Sequence, residues 1–204
     1  MIMTLMSIQQ INHSLFLQVN ASAHTARWLI DCGLFAANDL VYGVPLLLTV
    51  LWLVGGSHRR NAALLALVIA MVGLGANQLI GMAWYQPRPF VLGLGHTWST
   101  HAPDASFPSD HLTLFTSIGL GLLFGRRGWI GAATLAVGLL VGWARVYVGL
   151  HFPLDMAGSL VVAMASTLLV VPLWRRGGMV LTKRAEGLYR VLLARPIASG
   201  ILRD

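Results

Sequence analysis

Five apolar stretches, at residues 40–55, 62–85, 111–125, 129–144 and 155–173, leave this chain little choice of fold. A helix needs about 20 apolar residues, at 1.5 Å rise each, to cross a bilayer. Inside the hydrocarbon every backbone N–H and C=O must be satisfied within the chain, so spans of this kind are helices. Composition agrees. Of the 204 residues, 56% are hydrophobic and 10% charged, where soluble domains average roughly 25% charged. The expected fold is all-α, a polytopic helical bundle of about five spans forming one domain over 1–204. Its parts are N-terminal interfacial helices over 1–37, a transmembrane core over 38–173 and a basic cytoplasmic tail over 174–204.

The first 37 residues are mixed. Segments 8–19 and 27–36 are apolar but interrupted by Asn12, His13, Arg27 and Asp31, so they read as interfacial or half-inserted helices. One tilted span over 26–55 is the alternative, opposed by the charges of Asp31 and Asp39. Residues 1–20 have neither the basic start nor the long apolar run of a cleavable signal peptide. Cys32 is the single cysteine, so no intrachain disulfide forms.

The net charge of +7 does not form a nucleic-acid face, and no nucleic-acid partner is expected. Of the 14 basic residues, eleven fall at the same side of the spans: Arg59, Arg60, Arg126, Arg127, Arg175, Arg176, Lys183, Arg184, Arg190, Arg195 and Arg203. By the positive-inside rule that side is cytoplasmic. The N-terminus is then outside, the C-terminus inside, and the segment after Lys183 reads as a basic amphipathic helix on the anionic inner leaflet. Left over are Arg27, Arg88 and Arg145.

Two of those three arginines mark a site on the outer face. Residues 145–155 read Arg145-Val-Tyr-Val-Gly-Leu-His151-Phe-Pro-Leu-Asp155. Gly149 is placed to end one helix and Pro153 to start the next. His151 falls in the short connection and Asp155 in the first turn beyond it. A carboxylate there can hold Nδ1–H, fix the tautomer and leave Nε2 free to attack. Arg145 can hold an anion before that nitrogen, so the pattern reads as a histidine nucleophile for phosphate. Arg88, between Pro87 and Pro89, sits on a stiff extended backbone and suits a bidentate phosphate contact.

The loop 91–107 contains His96, His101 and Asp104 and ends in Pro108-Ser109-Asp110-His111. Ser109 is a good N-cap, the free amides behind it form an anion site, and His111 can protonate a leaving oxygen. His101 and Asp104 are possible substrate contacts, and Asp104 can also serve as a turn residue or orient His111. Asn77 and Gln78 read as interhelical hydrogen-bond partners. The third and fourth spans reach only roughly 23 Å, which sets their outer ends near headgroup depth and suits a lipid-borne phosphate.

Arg88-Pro89, Pro108-Ser-x-His111 and Arg145-x5-His151-x3-Asp155 resemble the three-part signature of the type-2 phosphatidic-acid phosphatase superfamily, over residues 81–155. The fuller stretches Pro87-Arg-Pro-Phe90, residues 101–111 and residues 148–155 are similar to its bacitracin-resistance type of undecaprenyl-diphosphate phosphatase. The resemblance implies that His151 is the nucleophile, Asp155 its orienter and His111 the general acid. Arg88, Ser109 and Arg145 then bind phosphate, with Asp110 beside them. Three positions depart from the superfamily pattern: Gly81 replaces a lysine, Asp110 a glycine and Ala144 a serine. Gly81 and Asp110 look like subgroup features, while Ala144 removes an expected phosphate contact.

The expected activity is hydrolysis of undecaprenyl diphosphate to undecaprenyl phosphate and inorganic phosphate through a phosphohistidine, which recycles the cell-wall lipid carrier. The expected place is a bacterial inner membrane, with the site facing the periplasm or cell exterior. Alternatives are a phosphotransferase or a phosphatase for another envelope lipid, such as lipid A or phosphatidylglycerophosphate, and a non-enzymatic lipid flippase. Asp104, Asp110, Asp155, His101 and His111 share the outer face and admit a metal reading. Two arginines beside them repel a cation and no HExxH-like spacing occurs, so neither metal nor cofactor is expected.

Overall fold

The computed structural model describes residues 2–194, with side chains from residue 8 onward. Its order is α1 (Ile2–Val19), α2 (Arg27–Asn38), a 3₁₀ turn (Leu40–Tyr42), α3 (Gly43–Leu53), α4 (Ser57–Ala83), a 3₁₀ turn (Pro89–Leu92), α5 (Asp110–Phe124), α6 (Gly128–Tyr147) and α7 (Pro153–Leu192). There is no strand among the described residues. Four stretches are long and apolar enough to cross a membrane, at Arg27–Leu53, Ser57–Ala83, Gly128–Tyr147 and Pro153–Leu192, and α5 is a shorter apolar helix beside them. The molecule is a multi-pass helical membrane bundle.

The first of those stretches has the length and composition of the alternative, one tilted span over 26–55. Helices α2 and α3 join through the 3₁₀ turn into 27 residues of spanning length. Arg27 and Asp31 pair at 3.0 Å in the first turn of α2 and neutralise each other. Asp39 falls at the junction where the backbone changes pitch. Helix α1 lies against the start of α7. Phe16 and His13 pack on Phe152, and the Asn12 side-chain Oδ1 accepts the Leu154 N–H.

Helix α7 brings a correction. It does not stop near residue 173 and resume as a surface helix, but runs through Pro172 for 40 residues. Gly178, Thr182, Glu186 and Tyr189 recur at helical spacing on one buried face. That face packs on the start of α4: Asn61 donates to Thr182 at 2.8 Å, and buried Arg60 lies 3.7 Å from Glu186 with Tyr189 4.6 Å beneath its guanidinium. Arg60 is thus a paired core residue, not a solvated flanking charge. Arg195 and Arg203 lie outside the described residues.

The centre of the bundle is a core of Val44 and Leu51 from α3, Ala62, Ala66 and Ala70 from α4, Phe115, Ile118 and Leu122 from α5, and Val141 from α6. Small residues let α4 and α5 approach closely. A Cβ at Gly121 would stand 2.4 Å from the Ala66 backbone, and one at Gly125 2.5 Å from Ala62. With the helices locked this tightly, the end of α4, the start of α5 and the end of α6 meet the connecting loops around one cavity.

Candidate active site

At the end of α6 the chain must turn sharply to deliver His151. Gly149 adopts φ +87°, and a Cβ there would lie 2.2 Å from the His96 carbonyl oxygen, so only glycine fits. His151 follows in extended backbone, and α7 starts at Pro153 with Asp155 at its third position. One oxygen of that buried carboxylate, Oδ2, accepts three bonds: from the Phe152 N–H at 2.8 Å, from the Ser106 hydroxyl at 2.5 Å and from His151 Nδ1 at 3.2 Å. The first is the reach-back of a helix N3 carboxylate to its own cap.

On the other side of the ring, Arg88 Nη1 is 3.0 Å from His151 Nε2. A guanidinium has no acceptor, so Nε2 carries the lone pair and Nδ1 the proton. Burial pushes the imidazole down to about 4, with Asp155 opposing and the two arginines adding to the drop. Near neutral pH the ring is therefore neutral, held in one tautomer from both sides. Backed by a carboxylate, such a nitrogen can serve as a nucleophile.

Arg88 is itself fully engaged. Its Nε donates to Asp104 at 2.7 Å, Nη1 to the Leu150 carbonyl at 3.0 Å and Nη2 to the Ala105 carbonyl at 3.3 Å. The extended backbone expected between the two prolines is present at φ −73°, ψ 158°. Asp104 is neither a plain turn residue nor an orienter of His111: it anchors Arg88. Buried Arg145 reaches in from the last turn of α6, donates weakly to the Ala37 carbonyl at 3.4 Å and leaves its Nε without a partner.

These groups border a cavity of about 390 Å³, lined by Arg88, Arg145, His151, His111, His101, Asp104 and Asp110, with Met82, Tyr85 and Phe107 on its apolar side. His101 is half-buried there. Burial lowers its imidazole, and Nδ1 approaches the Ala102 carbonyl at 3.0 Å. His96 engages through its backbone, bonded to Asn20, and does not line the cavity.

Ser109 stands one layer behind the cavity wall. It occupies the N-cap position of α5, but its hydroxyl makes no capping bond and is buried without any partner. Asp110 faces the cavity with both oxygens occupied: Asn77 donates to Oδ1 at 2.9 Å and Gln78 to Oδ2 at 3.2 Å. The interhelical role read for Asn77 and Gln78 is this bond to Asp110. At Gly81, where the superfamily pattern has a lysine, a Cβ would come 3.2 Å from Ala105, which also lines the cavity. Ala144 is fully buried in the core shared with Ala36, Ala37 and Val148 and does not line the cavity, so a serine hydroxyl there would face α2.

Sequence reasoning overlooked Ser106, which is completely buried and bonds Asp155 while its oxygen lies 3.4 Å from His151 Nδ1. A lone serine in a loop carries no spacing signal; only the fold brings it under the carboxylate.

Fold and cavity together define a membrane-embedded histidine–arginine site of the kind that handles phosphate esters. The chain belongs to the PAP2 superfamily, whose profile matches residues 61–178, from α4 into α7. It is 37% identical over 197 residues to YbjG of Escherichia coli (strain K12), provisionally named an undecaprenyl-diphosphatase, covering 97% of this chain and all of that one. It is 38% identical over 153 residues to the undecaprenyl-diphosphatase BcrC of Bacillus subtilis (strain 168), covering 75% of this chain and 79% of BcrC. In fold it matches the crystal structure of Aquifex aeolicus LpxE with a TM-score of 0.62 at 21% identity, over 79% of this chain and 95% of LpxE.

Proposed function

We propose that this protein is an undecaprenyl-diphosphatase, converting undecaprenyl diphosphate and water to undecaprenyl phosphate and inorganic phosphate. The reading is supported by the named activities of relatives that align over most of the chain. The observation that carries the chemistry is the neutral His151 ring, clamped between Asp155 and Arg88 at the wall of a cavity with a second guanidinium.

In the first step His151 Nε2 bonds to the terminal phosphorus. The bridging P–O bond breaks, and His111, protonated once the substrate's negative charge lies beside it, gives that proton to the departing lipid monophosphate. Arg88 must first release Nε2, and its Nη1 then turns to an equatorial phosphate oxygen. Arg145 and the amides at the start of α5 receive the other oxygens, spreading the charge that metal ions carry at many phosphoryl-transfer sites. In the second step His111 takes a proton from water, the water oxygen bonds to phosphorus, and the N–P bond breaks back to His151. Asp155 holds the ring throughout and offsets the charge it gains.

The distribution of basic residues supports a cavity at the outer face of the inner membrane, with the end of α7 in the cytoplasm. The whole chain acts as one phosphatase domain. A phosphatase for lipid A or another envelope lipid is the second reading.

The test is phosphate release by the purified protein in detergent, from undecaprenyl diphosphate against lipid A 1-phosphate and phosphatidylglycerophosphate, with and without a lipid acceptor. Free phosphate chiefly from the diphosphate is the expected result. Transfer of phosphate to the acceptor would make the protein a phosphotransferase. A tag near Thr97 reachable only in inverted vesicles would reverse the orientation.

A further inference from the structure

At the end of the bundle opposite the catalytic cavity, the chain builds a second site of a different character. An apolar groove of about 640 Å³ runs between α3 and the first half of α6, with Phe115 of α5 among its walls. Leu47 and Val50 form one side, Ile130 and Val137 the other. From Trp129 to Val137 the groove follows α6 for about 12 Å at 1.5 Å per residue, close to one leaflet of a hydrocarbon core about 30 Å thick. Its mouth is marked by Trp129, which is 79% exposed, as expected of an aromatic anchor at a membrane interface.

Arg59, Arg126 and Arg127 close the groove at that mouth. A polar cavity of about 410 Å³ adjoins it there and shares Arg126 and Arg127, with His58 and Asn61 on its far side. The turn after α5 fixes this arrangement. Arg126 takes the left-handed conformation at φ 63°, its N–H bonding the Leu123 carbonyl and that of Arg127 the Leu122 carbonyl. Arg127 Nε is buried and bonds to nothing. None of the three guanidiniums meets a carboxylate among the described residues. Among the described residues the carboxylate at this end, Glu186, is already set against Arg60.

An apolar trough of leaflet depth that opens into a polar pocket under three unpaired arginines matches one kind of molecule. We propose that it binds an anionic glycerophospholipid of the leaflet opposite the catalytic cavity, an acyl chain lying along α3 and α6 and the phosphate held by Arg59, Arg126 and Arg127. A second copy of this chain would bring an apolar helix to the trough, but its described residues offer no spare carboxylate at this depth for the arginines. A zwitterionic lipid would leave the excess charge unmatched. The proposal does not depend on the catalytic reading, since no catalytic residue lines either cavity.

Native mass spectrometry of the full-length protein, released from nanodiscs of mixed phosphatidylglycerol and phosphatidylcholine, tests it. Phosphatidylglycerol should be retained over phosphatidylcholine by about tenfold or more. Arg59→Gln/Arg126→Gln/Arg127→Gln should abolish the preference while leaving the melting temperature in detergent near that of the native chain. Ala133→Trp, which fills the trough and leaves the arginines in place, should lower retention of both lipids. Equal retention of the two lipids by the native chain would overturn the proposal, as would a preference untouched by the triple variant. Undecaprenyl phosphate displacing phosphatidylglycerol at equal concentration would also overturn it, by giving the site to the polyprenyl lipid.

Discussion

Arg88 and His151 hold each other in place, with guanidinium Nη1 3.0 Å from imidazole Nε2. The contact fixes the tautomer but also covers the lone pair that attack requires. Incoming phosphate must therefore draw the guanidinium onto its own oxygens, which frees the nitrogen only when substrate is present.

Arg88→Lys tests that coupling. Lysine keeps the charge but cannot satisfy Asp104, Leu150, Ala105 and His151 with one ammonium group. Removing a preorganised donor of this kind costs about 10²–10³ in kcat. The expected result is a fall of that size in phosphate release, with vanadate binding weakened in parallel. A lysine variant within twofold of native would show that the fork geometry of Arg88 is dispensable.

Ser106 makes a smaller, more specific prediction. Its hydroxyl is one of three donors to Asp155 Oδ2, and a hydrogen bond to a charged group is worth about 1.5–3 kcal/mol. Ser106→Ala should lower turnover roughly tenfold with KM little changed, because the ring is less firmly oriented rather than substrate less well bound. Ser106→Thr keeps the hydroxyl and should recover part of the loss. An effect confined to KM would assign Ser106 to substrate binding instead.

The geometry of the candidate site was legible in sequence because its constraints are local. Gly149, His151, Pro153 and Asp155 lie within seven positions, and turn and helix-start chemistry places them whatever the rest of the chain does. The prolines flanking Arg88 act in the same local way. What lay beyond reach depends on distant contacts. Ser106 meets Asp155 across 49 residues, Asn20 ties the His96 backbone to α6, and Asp104 finds Arg88 rather than His111. The length of α7 escaped because windowed hydropathy falls at Arg175 and Arg176, whereas its helix is sustained by the face that packs on α4.

Acid should destabilise the protein, and the sign follows from His151. Its ring titrates at about 4 when folded, chiefly because it is buried, against about 6.5 unfolded. Between those values the unfolded chain binds a proton that the folded one does not, so stability rises with pH across that window. Above about 6.5 there is no penalty; below it the penalty grows until pH reaches the folded value. Melting temperature in detergent should fall from pH 7 to pH 4, and His151→Gln should flatten the slope. Part of the slope remains in that variant because burial lowers His101 as well. A melting temperature that rises on acidification would contradict a buried neutral ring.

Charge neutralisation by two buried guanidiniums also predicts the response to inhibitors. Phosphate release should continue in excess chelator, while vanadate, which mimics five-coordinate phosphorus, should block it by engaging His151, Arg88 and Arg145. Arg145→Gln should weaken vanadate binding more than it weakens binding of the ground-state diphosphate, since stabilisation that grows in the transition state belongs to the guanidinium. Activity abolished by chelation and restored by one divalent ion would replace this mechanism with a metal-assisted one.

The two histidines should fail differently, which tests their assigned roles most directly. His151→Ala removes the atom that bonds to phosphorus, so neither step proceeds and no phosphoenzyme is trapped on rapid acid quench. His111→Ala keeps the nucleophile and removes the proton donor, a loss of typically about 10²–10⁴-fold. An aryl phosphate small enough to enter the cavity of about 390 Å³ has a leaving group that needs no protonation. With it, the His111 variant should recover much of its first step and accumulate phosphoenzyme, because the water that would release phosphate still lacks its base. The same ester should not rescue His151→Ala. Asp155→Asn should bind substrate normally and turn over slowly, because its defect lies in the orientation and charge of the ring. Rescue of His151→Ala by the activated ester, with His111→Ala left inactive, would reverse the assignment of nucleophile and acid.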